Sequence, residues 1–597
     1  MIDNIFGTLD DPSERLARAK ESLEGVRHLQ RRAPLDPLPG QPLHLYLTTG
    51  GSEPFDAARC FFSLDGSDPL PTSAQFLELA PGAVEWQDLV WGYLRTWTAA
   101  VPAQPVGTLL RYRLAAHQAQ TGEWIFADNQ AAVPARADQF ALWIDHDPVP
   151  DWSRQALVYH VFVDRFYPGD GKPWNPTPDV RGFYGGTLRG VIDKLDYIQG
   201  LGFNTIWLSP FFVSDSHHGY NASDYYTVEP RLGTNADLQE LIEKAHARGM
   251  RMLLDFVANH WSSRHPSFQA AQRDQDSPYH DWYIWKDWPK EYESYFTVRE
   301  LPKLNLKPGP AREYLLEVAR HWLRQGFDGY RLDFAYGPSH DFWVDFRRAC
   351  REVKPDAWLF GEVVHTAAVQ RSYAGIMDGT LDFLLAQALR ETFASGSLTL
   401  SEFEAFLSAH EAYFPADFSR PAFLDNHDMT RFLYLAGDDT ARLKLAALVL
   451  YTLAGAPIVY NGTEAGVSQQ RPLFQGGHNI FEEARLPVRW GAAADAGLLE
   501  HFRRLGALRR AHPALWSGTR RLLHLDSPAG TYVYLRQSQD DAVLVAINAG
   551  TQTRRLHLPV RIPGPVRDRL NATHLEVRAD RIDLELPPLS GAFLSNE

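Results

Sequence analysis

The stretch GGTLRGVIDKLDYIQGLGFNTIWLSP, residues 185–210, holds one complete helix-to-strand unit. Leu188, Val191, Ile192, Leu195 and Ile198 recur at the i, i+3, i+4, i+7 spacing of a helix with one apolar face. Gly202 then offers the left-handed residue that stops a helix, and NTIWLSP (204–210) reads as a short buried strand. The unit repeats. Leu238, Leu241, Ile242 and Ala245 share the period, Gly249 precedes RMLLDFV (251–257), and Gly326 precedes GYRLDF (329–334). ALVYHVFV (156–163), AWLFGE (357–362), GTLDFL (379–384), AFLDN (422–426) and APIVYN (456–461) bring the count to eight strands. Eight such units predict an α/β chain with a closed (β/α)8 TIM barrel over residues 149–512. The gap between the third and fourth strands is too long for one crossover and predicts a small inserted subdomain at about 258–305.

Outward from the barrel the texture changes. Residues 1–35 read as an extension, a polar helix from Pro12 to Gln30 and a Pro-rich linker. Residues 36–148 alternate in short runs such as LHLYLTT and LLRYRLAA, which predicts an N-terminal β-sandwich, and residues 513–597 predict a C-terminal one. The 597 residues are 45% hydrophobic and 22% charged, which excludes a disordered or fibrous chain. A net charge of −14 argues against a nucleic-acid partner. No apolar run reaches the ~20 residues of a membrane span, and the first residues lack the layout of a signal peptide. Cys60 and Cys350 are too far apart and too few for a disulfide framework, so a cytoplasmic setting is expected.

Barrel active sites lie at the C-terminal ends of the strands. There the sequence places Asp255 and His260 after the third strand, Arg331 and Asp333 on the fourth, Glu362 on the fifth, and His427 and Asp428 after the seventh. Neighbouring parallel strands sit roughly 4.8 Å apart, so Asp333 and Glu362 can approach the roughly 5–5.5 Å separation of retaining glycosidases rather than the 6.5–9.5 Å of inverting ones. Arg331 and Asp333 are two apart and face the same way. A guanidinium there lowers an Asp pKa by about 1 to 3, which would keep Asp333 ionised as a nucleophile. Glu362 has no cation nearby in sequence and follows Trp358-Leu359-Phe360, which points to a raised pKa and a proton donor.

These residues carry a resemblance. DFVANH (255–260), GYRLDFA (329–335), LFGEVVH (359–365) and FLDNHD (423–428) resemble, in order and spacing, the four motifs of the α-amylase family, glycoside hydrolase family 13. LPKLN (301–305) is similar to a stretch of its neopullulanase, cyclomaltodextrinase and maltogenic amylase group, whose members place a β-sandwich before the barrel. The resemblance implies Asp333 as nucleophile, Glu362 as general acid/base and Asp428 as a third acid holding sugar hydroxyls. It also implies Arg331 placing the nucleophile, His260 and His427 bonding the sugar, Tyr220 stacking beneath it, and Asp255 and Asn259 supporting the site. Lys303 and His365, within two of the matched stretches, are further substrate-binding candidates. The implied activity is hydrolysis of α-1,4, and in some relatives α-1,6, bonds of cyclodextrins, malto-oligosaccharides or pullulan, with a homodimer through the N-terminal sandwich. A transglycosidase of the same fold is the alternative, and a non-catalytic glucan-binding barrel a remoter one.

The chain departs from the group at Asn221, at Phe334-Ala335-Tyr336-Gly337, at Val364, and at Asn461 and Thr463. The changes after Asp333 and Glu362 fall where the leaving-group side is shaped. The aromatic-rich insert, Tyr279 to Phe296, divides between core packing and sugar platforms. His217, His218, His260 and His265 lack the spacing of a zinc site. Relatives of the group bind calcium just after the DRF motif and after paired glycines. Here Pro168, Pro173 and Trp174 occupy ligand positions, Lys172 adds positive charge, and Thr187 follows Gly185-Gly186. No metal and no other cofactor is expected.

Overall fold

The structure is a computed structural model that describes residues 5–50, 54–72, 74–177, 179–475, 478–559, 566–571, 573–574, 577–578 and 581–596. Parts of the expected extension (1–4) and of the expected C-terminal sandwich (560–565) lie outside the described residues. Eight parallel strands form the barrel: β1 (Val158–Val161), β2 (Thr205–Leu208), β3 (Arg251–Val257), β4 (Gly329–Asp333), β5 (Trp358–Gly361), β6 (Gly379–Thr380), β7 (Ala422–Phe423) and β8 (Pro457–Tyr460). β8 pairs back onto β1. The β6–β7 seam closes through Thr380 N–H donating to Ser419 O (3.1 Å) and Asp382 N–H to Pro421 O (2.9 Å).

The sixth strand is shorter than the run 379–384 suggests. Asp382 accepts from Leu385 N–H at 3.0 Å and so caps the helix Phe383–Arg390, which takes the rest of the apolar run. The helix read from Pro12 to Gln30 likewise ends at Glu21. Gly25–Arg27 and Arg32–Ala33 instead pair antiparallel with Leu43–Gly50, because Leu29 and Gln30 adopt positive φ and turn the chain back. The expected N-terminal extension thus contributes two strands to the sandwich, whose two antiparallel sheets each hold five strands. A six-stranded and a three-stranded antiparallel sheet follow the barrel.

The sandwich is tied to the barrel at a place that matters for the site. Arg111 reaches Asp341 (2.8 Å) and Asp345 (2.7 Å) on the helix His340–Val353, which follows the loop after β4. Arg312 holds the same two carboxylates. Between β3 and β4 the insert builds its own core around Phe268, against Tyr283 (4.9 Å), Trp285 (5.8 Å) and Tyr292 (4.9 Å). Tyr295 and Phe296 turn the other way and pack on Phe334. Among the described residues, no helix is long and apolar enough to cross a membrane.

Candidate active site

Parallel register sets the centre. Asp255 on β3 lies opposite Arg331 on β4, and Leu332 opposite Gly361, so Asp333 and Glu362 continue side by side past the strand ends. Arg331 is fully buried beneath them. Its Nη1 donates to Asp255 Oδ1 and to Asp333 Oδ1, each at 2.8 Å, and its Nη2 lies 2.6 Å from Glu362 Oε1. Glu362 therefore does have a cation beside it, contrary to the reading from its own stretch of sequence. Glu362 Oε2 also accepts from Phe334 N–H at 3.0 Å. Phe334 takes φ +40° to present that N–H, a conformation that costs a non-glycine residue about 1–3 kcal/mol and tends to accompany function.

A second group stands across the barrel mouth. Tyr220 O–H donates to Asp255 Oδ2 (2.9 Å) and lies 2.8 Å from His427 Nε2. The two rings are parallel, 5.2 Å apart. His427 Nε2 is also 2.8 Å from Asp428 Oδ2. Arg485 completes the group: its Nη2 contacts Asp428 Oδ1 (2.5 Å) and its Nε donates to the His427 carbonyl (2.9 Å).

The two groups are electrostatically distinct. Burial pushes Asp255 up to about 6 and Asp333 up to about 7, with Arg331 pulling both down. Burial raises Glu362 too, again against Arg331. Three carboxylates share one guanidinium, so the set titrates as a unit and holds a proton near neutrality. The expectation that Arg331 alone would keep Asp333 low is overturned, because desolvation outweighs one cation divided among three acids. Burial also acts to raise Asp428, but His427 and Arg485 reverse it and hold this acid well below the usual range. His427 is itself pushed down by burial, which leaves Arg485 as the permanent charge.

The remaining candidates divide. His260 is buried, with Nδ1 3.2 Å from Asn259 Nδ2 and its ring against Tyr295 at 4.5 Å. Lys303 bridges its backbone to His260 while its ammonium stands 3.8 Å from Glu293. His365 stacks on Tyr336 at 4.9 Å. Three neighbours were not singled out from sequence. Trp207 donates from Nε1 to Asp255 Oδ2 (3.0 Å), and His160 stacks on its indole at 3.7 Å. Both sit on strands already recognised, β1 and β2, so their inward register was the available signal. Arg485 had none: it lies 57 residues beyond Asp428 in an unremarkable helical turn.

The side-chain oxygens of Asp164, Asp170 and Thr187 near the DRF motif have partners within the chain. Asp164 accepts from Tyr184 and Gly185 N–H, Lys172 faces Asp170 at 3.5 Å, and Thr187 donates to Pro168 O at 2.6 Å. Among the described residues, no three His, Cys, Asp or Glu side chains converge as a metal site.

Comparison with known proteins agrees on the class. The family described as "Alpha amylase, catalytic domain" matches residues 160–501. "Alpha-amylase 2" of Dictyoglomus thermophilum is 33% identical over 556 residues, 92% of each chain. "Neopullulanase 2" of Thermoactinomyces vulgaris is 32% identical, over 75% of this chain and 78% of its own. A solved structure titled "Cyclomaltodextrinase" superposes with a TM-score of 0.70 at 26% identity, over 96% of this chain and 99% of that one.

Proposed function

Since the chain belongs to the α-amylase family of glycoside hydrolases, we propose that it cleaves α-1,4 bonds of cyclodextrins, short malto-oligosaccharides or pullulan by a retaining route, with α-1,6 bonds as a second target. The observation that carries this is the single Arg331 guanidinium spanning Asp333 and Glu362 at the ends of adjacent strands. In the first step Glu362 gives its proton to the leaving glycosidic oxygen as Asp333 Oδ attacks the anomeric carbon, forming a glycosyl ester. In the second, Glu362 takes a proton from water, whose oxygen displaces Asp333 and releases the sugar. Asp428, held ionised by Arg485, accepts hydrogen bonds from sugar hydroxyls, and the bond to Glu362 from Phe334 N–H keeps the acid oriented.

Two relatives bear names that fit this substrate class, a neopullulanase and a cyclomaltodextrinase. The deciding experiment follows the first product by NMR on β-cyclodextrin, pullulan and maltotriose: this reading requires the α-anomer first, and initial β-anomer sinks it. The same reading places the enzyme in the cytoplasm, in keeping with the two buried, unpaired thiols of Cys60 and Cys350. It also includes a homodimer. Trp86, Trp91 and Tyr93 stand exposed on one hairpin of the N-terminal sandwich, a face suited to a second copy. A monomer by light scattering would remove that part.

A further inference from the structure

A cavity of about 930 Å³ opens where three parts of the chain meet. The helix Pro12–Glu21 supplies Arg18 and Ala19, the sandwich supplies Arg27 and Asp138, and the loops after β4 and β5 supply Tyr336 and His365. This is the size range, roughly 300–1,000 Å³, of pockets that enclose small-molecule ligands.

Its position is set by the catalytic strands. Tyr336 follows Asp333 by three residues and His365 follows Glu362 by three, so each lies at most about 11 Å, Cα to Cα, from its carboxylate. The two rings stack on each other at 4.9 Å, and Tyr336 remains 46% exposed. Ser22, Gln30, Ser339 and Thr366 add neutral polar side chains to the same lining. The lining holds five basic and five acidic side chains, Arg15, Arg18, Arg27, Arg113 and Lys307 against Glu21, Asp68, Asp128, Asp138 and Asp341. Arg113 is paired with Asp68 within the lining, and Arg18 with Glu14 outside it. A balanced, partly aromatic wall with neutral polar side chains suits a neutral polyol and gives no net attraction to a polyanion or a polycation.

We propose that this cavity receives the leaving-side glucosyl units of an α-glucan, and that the N-terminal helix and sandwich, not the barrel alone, set how many units fit. The inference rests on the glucan-hydrolase reading and adds to it a specificity-determining segment. Tyr336 and His365 bind the units next to the cleaved bond, and the wall carrying Ala19 ends the groove.

The test uses the full chain with Ala19→Trp, which inserts an indole from the N-terminal wall, and Ala368→Trp, which enters from the barrel side. Each is compared with wild type on p-nitrophenyl α-maltoside, whose single aromatic leaving group reaches only the first leaving-side position and not the wall carrying Ala19, and on maltoheptaose. The ratio of kcat/KM for maltoheptaose to that for the aryl glycoside should fall about tenfold, chiefly through KM. An unchanged ratio in both variants overturns the site. Titration of maltoheptaose into Asp333→Asn, with and without Ala19→Trp, reads the same contact without turnover. A wild-type chain that cleaves neither substrate defeats the hydrolase reading. Weaker binding on adding Ala19→Trp would still support the cavity, and equal binding would overturn it.

Discussion

Arg331 touches Glu362 as closely as it touches Asp333: Nη2 stands 2.6 Å from one carboxylate and Nη1 2.8 Å from the other. The guanidinium cannot favour ionisation of the nucleophile without also favouring that of the acid. What separates the two is their other surroundings. Asp333 has Asp255 sharing the same nitrogen, whereas Glu362 accepts a backbone N–H.

The pH profile should show this competition. Asp333 is raised to about 7 by burial, so its proton is retained to higher pH than an ordinary aspartate's. Activity needs the ionised form, and it is therefore lost as pH falls through a value well above the usual ~4. The acid limb of kcat/KM is expected near neutrality and should belong to the Asp255–Asp333–Glu362 set. An acid limb close to 4 would mean that Arg331 prevails over desolvation.

Glu362→Gln should lower kcat by about 10²–10⁴-fold on maltotriose, the usual contribution of a general acid. The loss should shrink for the first step on an activated aryl glycoside, whose leaving group needs little protonation. Equal losses on good and poor leaving groups would assign the proton to another residue. Asp333→Asn should abolish turnover in a folded protein, because an amide cannot form the glycosyl ester.

Arg485 acts through Asp428. Arg485→Ala removes the permanent charge holding that acid ionised and the bond to the His427 carbonyl. A displacement of about 1 Å at such a position costs on the order of 10²-fold in kcat/KM. The pKa of Asp428 should rise as well, adding a new loss on the acid side of the profile. Arg485→Lys should restore part of the rate, since it keeps the charge but not the paired geometry. A loss of thermal stability with the pH profile unmoved would make Arg485 structural only.

What could be read from sequence was what is local. Helix period and terminal glycines such as Gly202 mark β/α units, because both act within one turn. β6 has two residues and its defining bonds run to Ser419 and Pro421, so only the apolar run was visible. Gly25–Arg27 looked helical because its pairing with Thr48–Gly50 is a tertiary fact. The strand-end acids stood out as residue types at recognisable places. Their partners did not: the Arg331–Glu362 contact crosses between strands, and Arg485 reaches Asp428 from a distant turn. Burial, which no local stretch of sequence displays, is the first cause of the rise at Asp333, ahead of the charges the fold gathers around it.

Chelation is the last expectation. Calcium needs six to eight oxygens with several carboxylates among them. At the place where relatives of the group bind it, Thr187 uses its hydroxyl to cap the helix Leu188–Asp193 and to bond Pro168 O. Asp164 is occupied by two backbone N–H groups and by Arg165 at 2.9 Å, and Asp170 faces Lys172. Asn259 meets His260 through Nδ2 only; its Oδ1 is buried without a hydrogen-bond partner among the described residues, under Gly337, where an added Cβ would fall 2.3 Å from it. A metal bound only by the native state would raise stability as its concentration exceeds Kd. Exhaustive EDTA treatment should therefore leave both kcat and Tm where they were. A fall in either that added calcium restores would show that the chain holds the ion with ligands other than the side chains of this stretch.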